Sequence, residues 1–296
     1  MLRPSYLQPG DKIALISPAG IISPEVVNHA SELLHSWDLI PVVGKHATSQ
    51  YGYFAGTDQE RLEDLQWALD AEEVRAIFCT RGGYGCMRIV EKADYSCFQG
   101  NPKWLVGFSD ITVLHTKLTS LGIESLHAPM PKSYQNTDAK ALKRLNQFLF
   151  GAISPYTLPP HPLNREGIVR ADLTGGNLSL LHCLRSSVVE YPQDETILFI
   201  EDVGENLYAI DRMMQSFKLT GRLKHLQGLI VGGFSNMKGE NFGKNAYEII
   251  REAVEDYDYP VCFDFPAGHI PGNYPLILGA SIELSVDENG SEILFL

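Results

Sequence analysis

The sequence predicts an α/β fold in two units, on the strength of three observations. Short strand-like segments alternate with helical segments through the first half of the 296-residue chain, which favours a parallel sheet covered by helices on both faces. Hydrophobic residues make up 44% of the chain, enough for a sizeable core. Four prolines within the polar stretch 155–162 then interrupt the pattern. We therefore place a linker at 151–167, between an N-terminal domain at 1–150 and a smaller C-terminal domain at 168–296.

The elements of the N-terminal domain follow from apolar patterns and capping residues. Strands are predicted at 12–17, 39–43, 74–80 and 104–108, where β-branched and aromatic residues are enriched. One helix begins at Ser23-Pro24, with serine as the cap and proline in the first position. A second begins at Thr57, which forms a capping box with Glu60. Further helices are predicted at 86–92, 110–121 and 138–150.

The C-terminal domain has a less regular pattern. Strongly apolar runs predict strands at 197–203 and 229–234, and helical periodicity predicts helices at 207–219 and 246–257. Two alternating runs between 282 and 296 flank Glu288-Asn289-Gly290, which is typical of a hairpin turn.

Charge and cysteine content exclude several classes of protein. The net charge of −12, from 24 basic and 36 acidic residues, argues against nucleic-acid binding, which needs clustered lysine and arginine. Five cysteines without a C-x-x-C pair predict neither a disulfide framework nor a zinc site. The longest apolar run falls well short of the roughly 20 residues of a membrane span, and the first ten residues do not look like a secretory signal. We therefore expect a cytoplasmic protein that binds neither nucleic acid nor membrane.

Ser109 lies in the segment GFSD at 107–110, between a predicted buried strand and a predicted helix. A serine on such a turn is held clear of the sheet, and the helix N-terminus behind it favours negative charge. The segment departs from the G-x-S-x-G nucleophile elbow because Ile111 stands where the second glycine would be. The alternative is that Ser109 or Asp110 simply caps the helix.

The glycine-rich segment TRGGYG at 80–85 follows another predicted strand. Three glycines allow backbone N–H groups to converge on one anion, and in an acyl-transfer enzyme such a nest serves as an oxyanion hole. The spacing does not fit a phosphate-binding loop, since no Lys-Ser/Thr follows. The alternative is an ordinary strand-to-helix turn, although strand ends of open parallel sheets are where ligands bind.

Two further candidates lie in the C-terminal domain. Glu201 follows a strongly apolar strand, and His269 lies among glycines and prolines in a predicted loop. The alternatives are that Glu201 is an acidic surface residue just past a strand, and that His269 is a loop histidine hydrogen-bonded to the backbone. Together with Ser109 and the glycine segment, however, they supply the nucleophile, base, acid and anion nest of a hydrolytic triad.

Six segments in this order resemble the LD-carboxypeptidases of serine peptidase class S66, over nearly the whole chain. They are LQPGDKIA at 7–14 with SPA at 17–19, RGGYG at 81–85, GFSD at 107–110, TGGNL at 174–178, FIED at 199–202 and GH at 268–269. The resemblance implies a flavodoxin-like N-terminal parallel-sheet domain, a smaller C-terminal α/β domain, an active site between them and a homodimer.

The resemblance also implies residue roles. Ser109 is the expected nucleophile, His269 the general base and Glu201 the acid that orients it. The backbone N–H groups of Gly83 and Asp110 are the expected oxyanion hole. No metal and no cofactor are implied.

The implied reaction releases terminal D-alanine from a murein tetrapeptide during peptidoglycan recycling. Glu205 is a nearby rival to Glu201, which we prefer because it lies directly at the strand end. Arg81 is a candidate for the D-alanine carboxylate, although an arginine beside such a loop more often holds the loop through backbone contacts. Two alternatives stay open: a microcin-immunity peptidase that cleaves peptide–nucleotide conjugates, and a non-catalytic peptide-binding module. The first would need aromatic rings to stack on a base, and the second half carries no inserted aromatic-rich loop.

Overall fold

Five parallel strands from the first half of the chain form most of one sheet. The computed structural model, which describes residues 1–190 and 195–296, places them in the order β2-β1-β3-β4-β5. They are β1 (Lys12–Ile16), β2 (Ile40–Val43), β3 (Val74–Cys79), β4 (Trp104–Gly107) and β5 (Ser125–His127). This is the flavodoxin-like strand order, so the fold class predicted for the N-terminal half is confirmed.

This half of the chain holds five α-helices, two of which begin directly after the capping residues that the sequence shows, Ser23 and Thr57. They are α1 (Pro24–Ser36), α2 (Asp58–Asp70), α3 (Ser96–Gly100), α4 (Thr112–Ser120) and α5 (Ala139–Leu149). Thr57 Oγ1 accepts from the backbone N–H of Glu60 at 3.2 Å, and the Glu60 carboxylate accepts from that of Thr57 at 2.7 Å, as a capping box requires.

Two of the helix predictions need correction. The helix expected at 86–92 is only a 3₁₀ turn, Cys86–Arg88, because so short a segment gains too few hydrogen bonds to propagate. The helix expected at 110–121 is preceded by a 3₁₀ turn at Ser109–Ile111, and α4 itself begins at Thr112.

In the second half of the chain, the described residues form eight strands. They are β6 (Tyr156–Leu158), β7 (Gly167–Asn177), β8 (Thr196–Val203), β9 (Gly228–Ser235), β10 (Val261–Cys262), β11 (Leu276–Leu278), β12 (Ser281–Asp287) and β13 (Gly290–Phe295). Seven of them form a second sheet in the order β10-β9-β8-β7-β12-β13-β6. Its first four strands are parallel, and β12, β13 and β6 are antiparallel.

Within the part of the chain that the structure describes, three α-helices accompany this sheet: α6 (Leu178–Cys183), α7 (Leu207–Leu219) and α8 (Ala246–Ala253). The last is four residues shorter than predicted, since it ends at Ala253 rather than at residue 257. The predicted hairpin is present as β12 and β13. Among the residues that the structure describes, no helix is long and apolar enough to cross a lipid bilayer.

The two sheets are joined by more than the chain connection. Strand β11 leaves the second half and pairs antiparallel with β5 at the edge of the first sheet. One core cluster holds Leu15 and Val106 of the first sheet together with Phe199 and Ile282 of the second. The segment 151–167 carries β6, so the linker prediction falls on a stretch that also pairs with the sheet. The carboxyl end of β7 contacts the start of α4, since the backbone N–H of Asn177 donates to Thr112 Oγ1.

Candidate active site

Ser109 stands on a strained turn at the end of β4. Its φ is +64°, in the left-handed region that non-glycine residues rarely occupy and that costs about 1–3 kcal/mol where the surroundings enforce it. A Cβ at Gly107 would lie 2.9 Å from the Ile111 side chain, so only glycine lets the helix fold back so tightly. The turn therefore presents Ser109 as a nucleophile elbow does, although the second glycine of that motif is absent.

The glycine loop after β3 lies directly against this turn. A Cβ at Gly82 would lie 3.0 Å from Ser109 Cβ and 3.2 Å from the backbone nitrogen of Asp110. Gly83 has a φ of +105°, a backbone conformation in which a residue with a side chain would be strained. Within residues 1–190 and 195–296, no protein acceptor takes the N–H of Gly83 or of Asp110. Both donors are free to meet a ligand.

Two side chains hold the loop in this place. The buried Asp110 carboxylate accepts from the backbone N–H of Cys86 at 2.9 Å, and burial raises the pKa of Asp110. Arg81 Nη1 donates to the backbone oxygen of Ile21 at 2.6 Å. Arg81 thus makes the backbone contact that the sequence offered as the alternative to carboxylate binding. Sequence reasoning did not predict the Asp110 side-chain contact.

His269 bridges the two halves of the chain. Its Nε2 lies 3.1 Å from Ser109 Oγ, and its Nδ1 lies 2.7 Å from Glu201 Oε2. Glu201, in β8, is 0% exposed. A ring nitrogen that faces a carboxylate carries the proton, which leaves Nε2 as an acceptor for the serine hydroxyl. The structure therefore brings all three predicted side chains within hydrogen-bonding reach.

The electrostatics of this pair suit a base. Burial opposes the charge on His269, but the charge and hydrogen bond of Glu201 outweigh it, so the pKa of His269 is raised above its ordinary value. Burial also opposes the charge on Glu201, and the His269 contact reverses this, so the pKa of Glu201 is lowered. A glutamate ionised at neutral pH then stabilises the imidazolium that forms when His269 takes a proton.

An amide between two buried acids supports Glu201. Asn177 Nδ2 donates to Glu201 Oε1 at 3.2 Å and to Asp202 Oδ1 at 3.0 Å. The backbone N–H of Asn177 donates to Thr112 Oγ1 at 3.0 Å, which ties β7 to the first turn of α4 behind the serine. The TGGNL segment at 174–178 was part of the sequence resemblance, but sequence reasoning predicted no contact for it. This segment was the sequence feature that could have pointed to Asn177.

Open space lies beside the base. A cavity of about 270 Å³ is lined by Phe108 and His269 and by the uncharged polar residues Ser133, Asn136 and Thr137. Tyr84, within the glycine loop, and Tyr53 are each about half exposed. The Tyr53 hydroxyl lies 2.8 Å from where a Cβ at Gly83 would be. The site therefore has a neutral polar cavity beside His269 and exposed aromatic rings at the glycine loop.

We predict that Gly268→Ala lowers kcat about 100-fold, because a misplacement of about 1 Å at the reacting atoms has an effect of that size. Gly268 has a φ of +116°, and a Cβ there would lie 2.8 Å from Glu201 Oε2. Gly272→Ala in the same loop is the matched control, since its nearest contact would be an ordinary 3.5 Å. Steady-state kinetics on both variants test this, and equal kcat values would contradict it.

We predict that kcat/KM rises with pH through a half-point above 6.5, the ordinary pKa of histidine. Protonated His269 cannot accept the Ser109 proton, and its raised pKa keeps the protonated form to higher pH. Measurement runs from about pH 5 to pH 9. We expect the rate at which a fluorophosphonate labels Ser109 to show the same pH dependence, and ionisation of the substrate does not affect that rate. A half-point below 6.5 in both assays would be inconsistent with the Glu201 contact.

The chain matches two family models that together cover most of its length. Residues 13–128 match the LD-carboxypeptidase N-terminal domain, and residues 170–284 match the LD-carboxypeptidase C-terminal domain. The chain is 32% identical over 301 residues to a probable murein peptide carboxypeptidase of Bacillus subtilis, covering 98% of this chain and 94% of that protein. It is 30% identical over 278 residues to the murein tetrapeptide carboxypeptidase of Pseudomonas aeruginosa, covering 88% and 89%.

Solved structures share the fold. A muramoyltetrapeptide carboxypeptidase from Oxalobacter formigenes aligns with a TM-score of 0.88 at 24% identity, over 96% of this chain and 98% of that one. A variant of the microcin C7 self-immunity protein MccF, in complex with adenosine monophosphate, aligns with a TM-score of 0.88 at 20% identity, over 100% and 99%.

Proposed function

This chain belongs to the LD-carboxypeptidase family, and we propose that it releases terminal D-alanine from murein tetrapeptides with a Ser109–His269–Glu201 triad. One observation carries the proposal: His269 contacts Ser109 Oγ at 3.1 Å and the buried Glu201 carboxylate at 2.7 Å. The relatives named for murein peptides support this choice of substrate. The bond cleaved joins the L-centre of a diamino acid to D-alanine.

In the proposed first step, Ser109 Oγ attacks the scissile carbonyl carbon while His269 Nε2 takes the hydroxyl proton. The carbonyl oxygen becomes an oxyanion, which the N–H groups of Gly83 and Asp110 stabilise. One such donor is worth roughly 3 kcal/mol in related chemistry. Collapse of the intermediate breaks the C–N bond, and His269 donates its proton to the departing amine of D-alanine.

In the second step, water attacks the acyl-enzyme ester and gives its proton to His269. The ester bond breaks, Ser109 regains its proton, and the tripeptide leaves with a new carboxylate. Glu201 stays ionised throughout and keeps Nδ1 protonated. Apart from the attacking water, the chain's own side chains and backbone supply the groups in this scheme.

The test is incubation of the purified protein with L-Ala-γ-D-Glu-diaminopimelate-D-Ala, with free D-alanine and tripeptide quantified by mass spectrometry. We expect equal amounts of the two products. The matched control is the same peptide ending in L-alanine, which we expect to persist. Failure to release D-alanine, or equal cleavage of both peptides, would overturn the proposed reaction.

A second candidate function is cleavage of a peptide–nucleotide conjugate. The observation in its favour is the pair of half-exposed rings, Tyr53 and Tyr84, beside the glycine loop, because aromatic faces stack on bases. These rings lie in the first half of the chain, whereas the sequence-based argument against this function concerned the second half. A comparison of kcat/KM for aspartyl sulfamoyl adenosine with kcat/KM for the tetrapeptide separates the two candidate functions. A higher kcat/KM for the adenosine compound would favour this candidate.

Location and assembly are part of the same proposal. A cytoplasmic site of action would suit the recycling of murein peptides, and the resemblance implies a homodimer. Both stay predictions. Light scattering of the purified protein tests the dimer. The non-catalytic alternative predicts peptide binding without D-alanine release and without labelling of Ser109 by a fluorophosphonate.

A further inference from the structure

His115 is a buried histidine of α4 that the reaction scheme does not use. It is 0% exposed, and both of its ring nitrogens have partners. Nε2 lies 2.9 Å from the backbone oxygen of Gly107, and Nδ1 lies 2.8 Å from Ser125 Oγ. Gly107 ends β4 and Ser125 begins β5, so this one side chain joins α4 to two neighbouring strands of the first sheet.

The two partners determine which ring nitrogen carries the proton. A carbonyl oxygen can only accept, so Nε2 carries the proton and donates it to Gly107. Burial lowers the pKa of His115 to about 3, against the opposing effect of the Gly107 hydrogen bond. The ring is therefore neutral near neutral pH, and Nδ1 accepts from the Ser125 hydroxyl. A neutral histidine with both nitrogens hydrogen-bonded is buried without the free-energy cost of an unpaired polar group.

The Gly107 carbonyl is held from two sides, directly before the nucleophile turn. Besides the His115 bond, it accepts from the backbone N–H of Ala128 at 3.0 Å, next to the paired residues of β4 and β5. Two residues later, Ser109 has a φ of +64°, a conformation that persists only where the surroundings enforce it. The His115 bond runs from the helix that follows Ser109 back to the strand that precedes it, and so closes the turn.

This closure bears on the reaction because the turn sets the position of the Ser109 hydroxyl, whose Oγ lies 3.1 Å from His269 Nε2. Without the bond, α4 can shift relative to β4. Rotation of Ser109 toward negative φ would then release the backbone strain, and the hydroxyl would move away from the base.

We propose that His115 is a positioning residue, whose Nε2–H bond to the Gly107 carbonyl holds Ser109 in its left-handed conformation with Oγ facing His269. This inference rests on the proposed function for the role of Ser109 as nucleophile, but its geometry does not depend on the substrate. The simplest rival role is that His115 only stabilises the fold by joining α4 to the sheet.

Two amide variants separate these roles, because each keeps a different contact of the ring. Counted in bonds from the backbone, the amide nitrogen of His115→Gln takes the place of Nε2, whereas the amide of His115→Asn takes the place of Nδ1. We expect His115→Asn to lower kcat about 10- to 100-fold with KM within about twofold, since a misplacement of about 1 Å at the reacting atoms has an effect of that size. We expect His115→Gln to restore most of kcat. Equal kcat values in the two variants would overturn the proposal.

Thr116→Val is the matched control for the loss of a buried hydrogen bond from the same helix. The Thr116 hydroxyl is buried and donates to the backbone oxygen of Val113 at 2.9 Å, within α4. We expect Thr116→Val to keep kcat within about twofold of wild type even where it lowers Tm. A decrease in kcat as large as that of His115→Asn would mean that any loss of stability in α4 impairs the reaction, and would overturn the proposal.

A double-mutant cycle on stability tests the strain itself, without substrate. Ser109→Gly removes the strain and is expected to raise the Tm of the otherwise wild-type protein by a few degrees. If the His115 bond enforces the strain, Ser109 has already relaxed in His115→Asn, and Ser109→Gly raises Tm less in that background. The same increase in both backgrounds would overturn the proposal. Since no peptide is involved, a failure of the proposed function remains distinguishable from a failure of this inference.

A measurement on the wild-type protein covers the case in which His115→Asn does not fold. Histidine side-chain ¹⁵N spectra show which ring nitrogen carries the proton, and the His115 signals are identified by their loss in His115→Gln. We expect Nε2 of His115 to be protonated and Nδ1 to be unprotonated from about pH 5 to pH 9. A proton on Nδ1 in place of Nε2 would refute the bond to Gly107.

Discussion

Ser109→Ala is expected to lower kcat for D-alanine release by about 10⁴- to 10⁶-fold, as removal of the nucleophile does in other serine peptidases. The substitution removes a single hydroxyl, whose Oγ lies 3.1 Å from His269 Nε2. We therefore expect the fold and the peptide affinity to persist. Steady-state release of D-alanine, intact-mass detection of a phosphonylated serine and far-UV circular dichroism measure activity, nucleophile and fold in turn.

Ser109→Gly is the matched control, because it removes the same hydroxyl and also the backbone strain at φ +64°. We expect it to be as inactive as Ser109→Ala but more stable, by about 1 kcal/mol or a few degrees in Tm. A more stable but inactive variant would mean that the turn holds strain for the sake of the nucleophile. Substantial activity in either variant would remove Ser109 from the proposed role.

Local patterns in the sequence predicted much of the first sheet. β1 and β3 are runs of apolar residues in which both faces are buried, and α2 begins at a capping box that Thr57 and Glu60 reveal on their own. The sequence also located the turn of Ser109, because a strand and a helix with only a few residues between them leave one place for it. It did not predict φ +64°, since the glycine that permits this turn is Gly107, before the serine rather than after it.

Long-range contacts account for most of what the sequence did not predict. Strands β5 and β11 have three residues each, too few for an apolar period, and they pair across about half the chain. The Asn177 contact with Thr112 likewise depends on how the two sheets meet. The resemblance supplied the triad roles, whereas local physics alone left helix capping and surface acidity as alternatives.

Glu201→Gln is expected to lower kcat by about 10³- to 10⁴-fold, the effect seen when the acid of a triad becomes an amide. A glutamine nitrogen facing Nδ1 favours the wrong tautomer of His269, with the proton on Nε2 and no acceptor for the Ser109 hydroxyl. The charge of Glu201 also raises the pKa of His269. The half-point of the remaining activity should therefore move to lower pH, because without the carboxylate the imidazolium loses its main stabilising partner.

Glu205→Gln is the control that separates the two candidate acids, Glu201 and Glu205. Glu205 lies beyond the end of β8 at Val203 and is partly exposed, whereas Glu201 is buried against His269. We expect kcat and the pH profile of Glu205→Gln to stay within about twofold of wild type, as exposed carboxylates contribute little to a distant base. Both variants are assayed with the tetrapeptide over the same pH range. If the larger decrease in kcat fell on Glu205→Gln, the strand-end argument for Glu201 would be wrong, and the 2.7 Å hydrogen bond would be structural rather than catalytic.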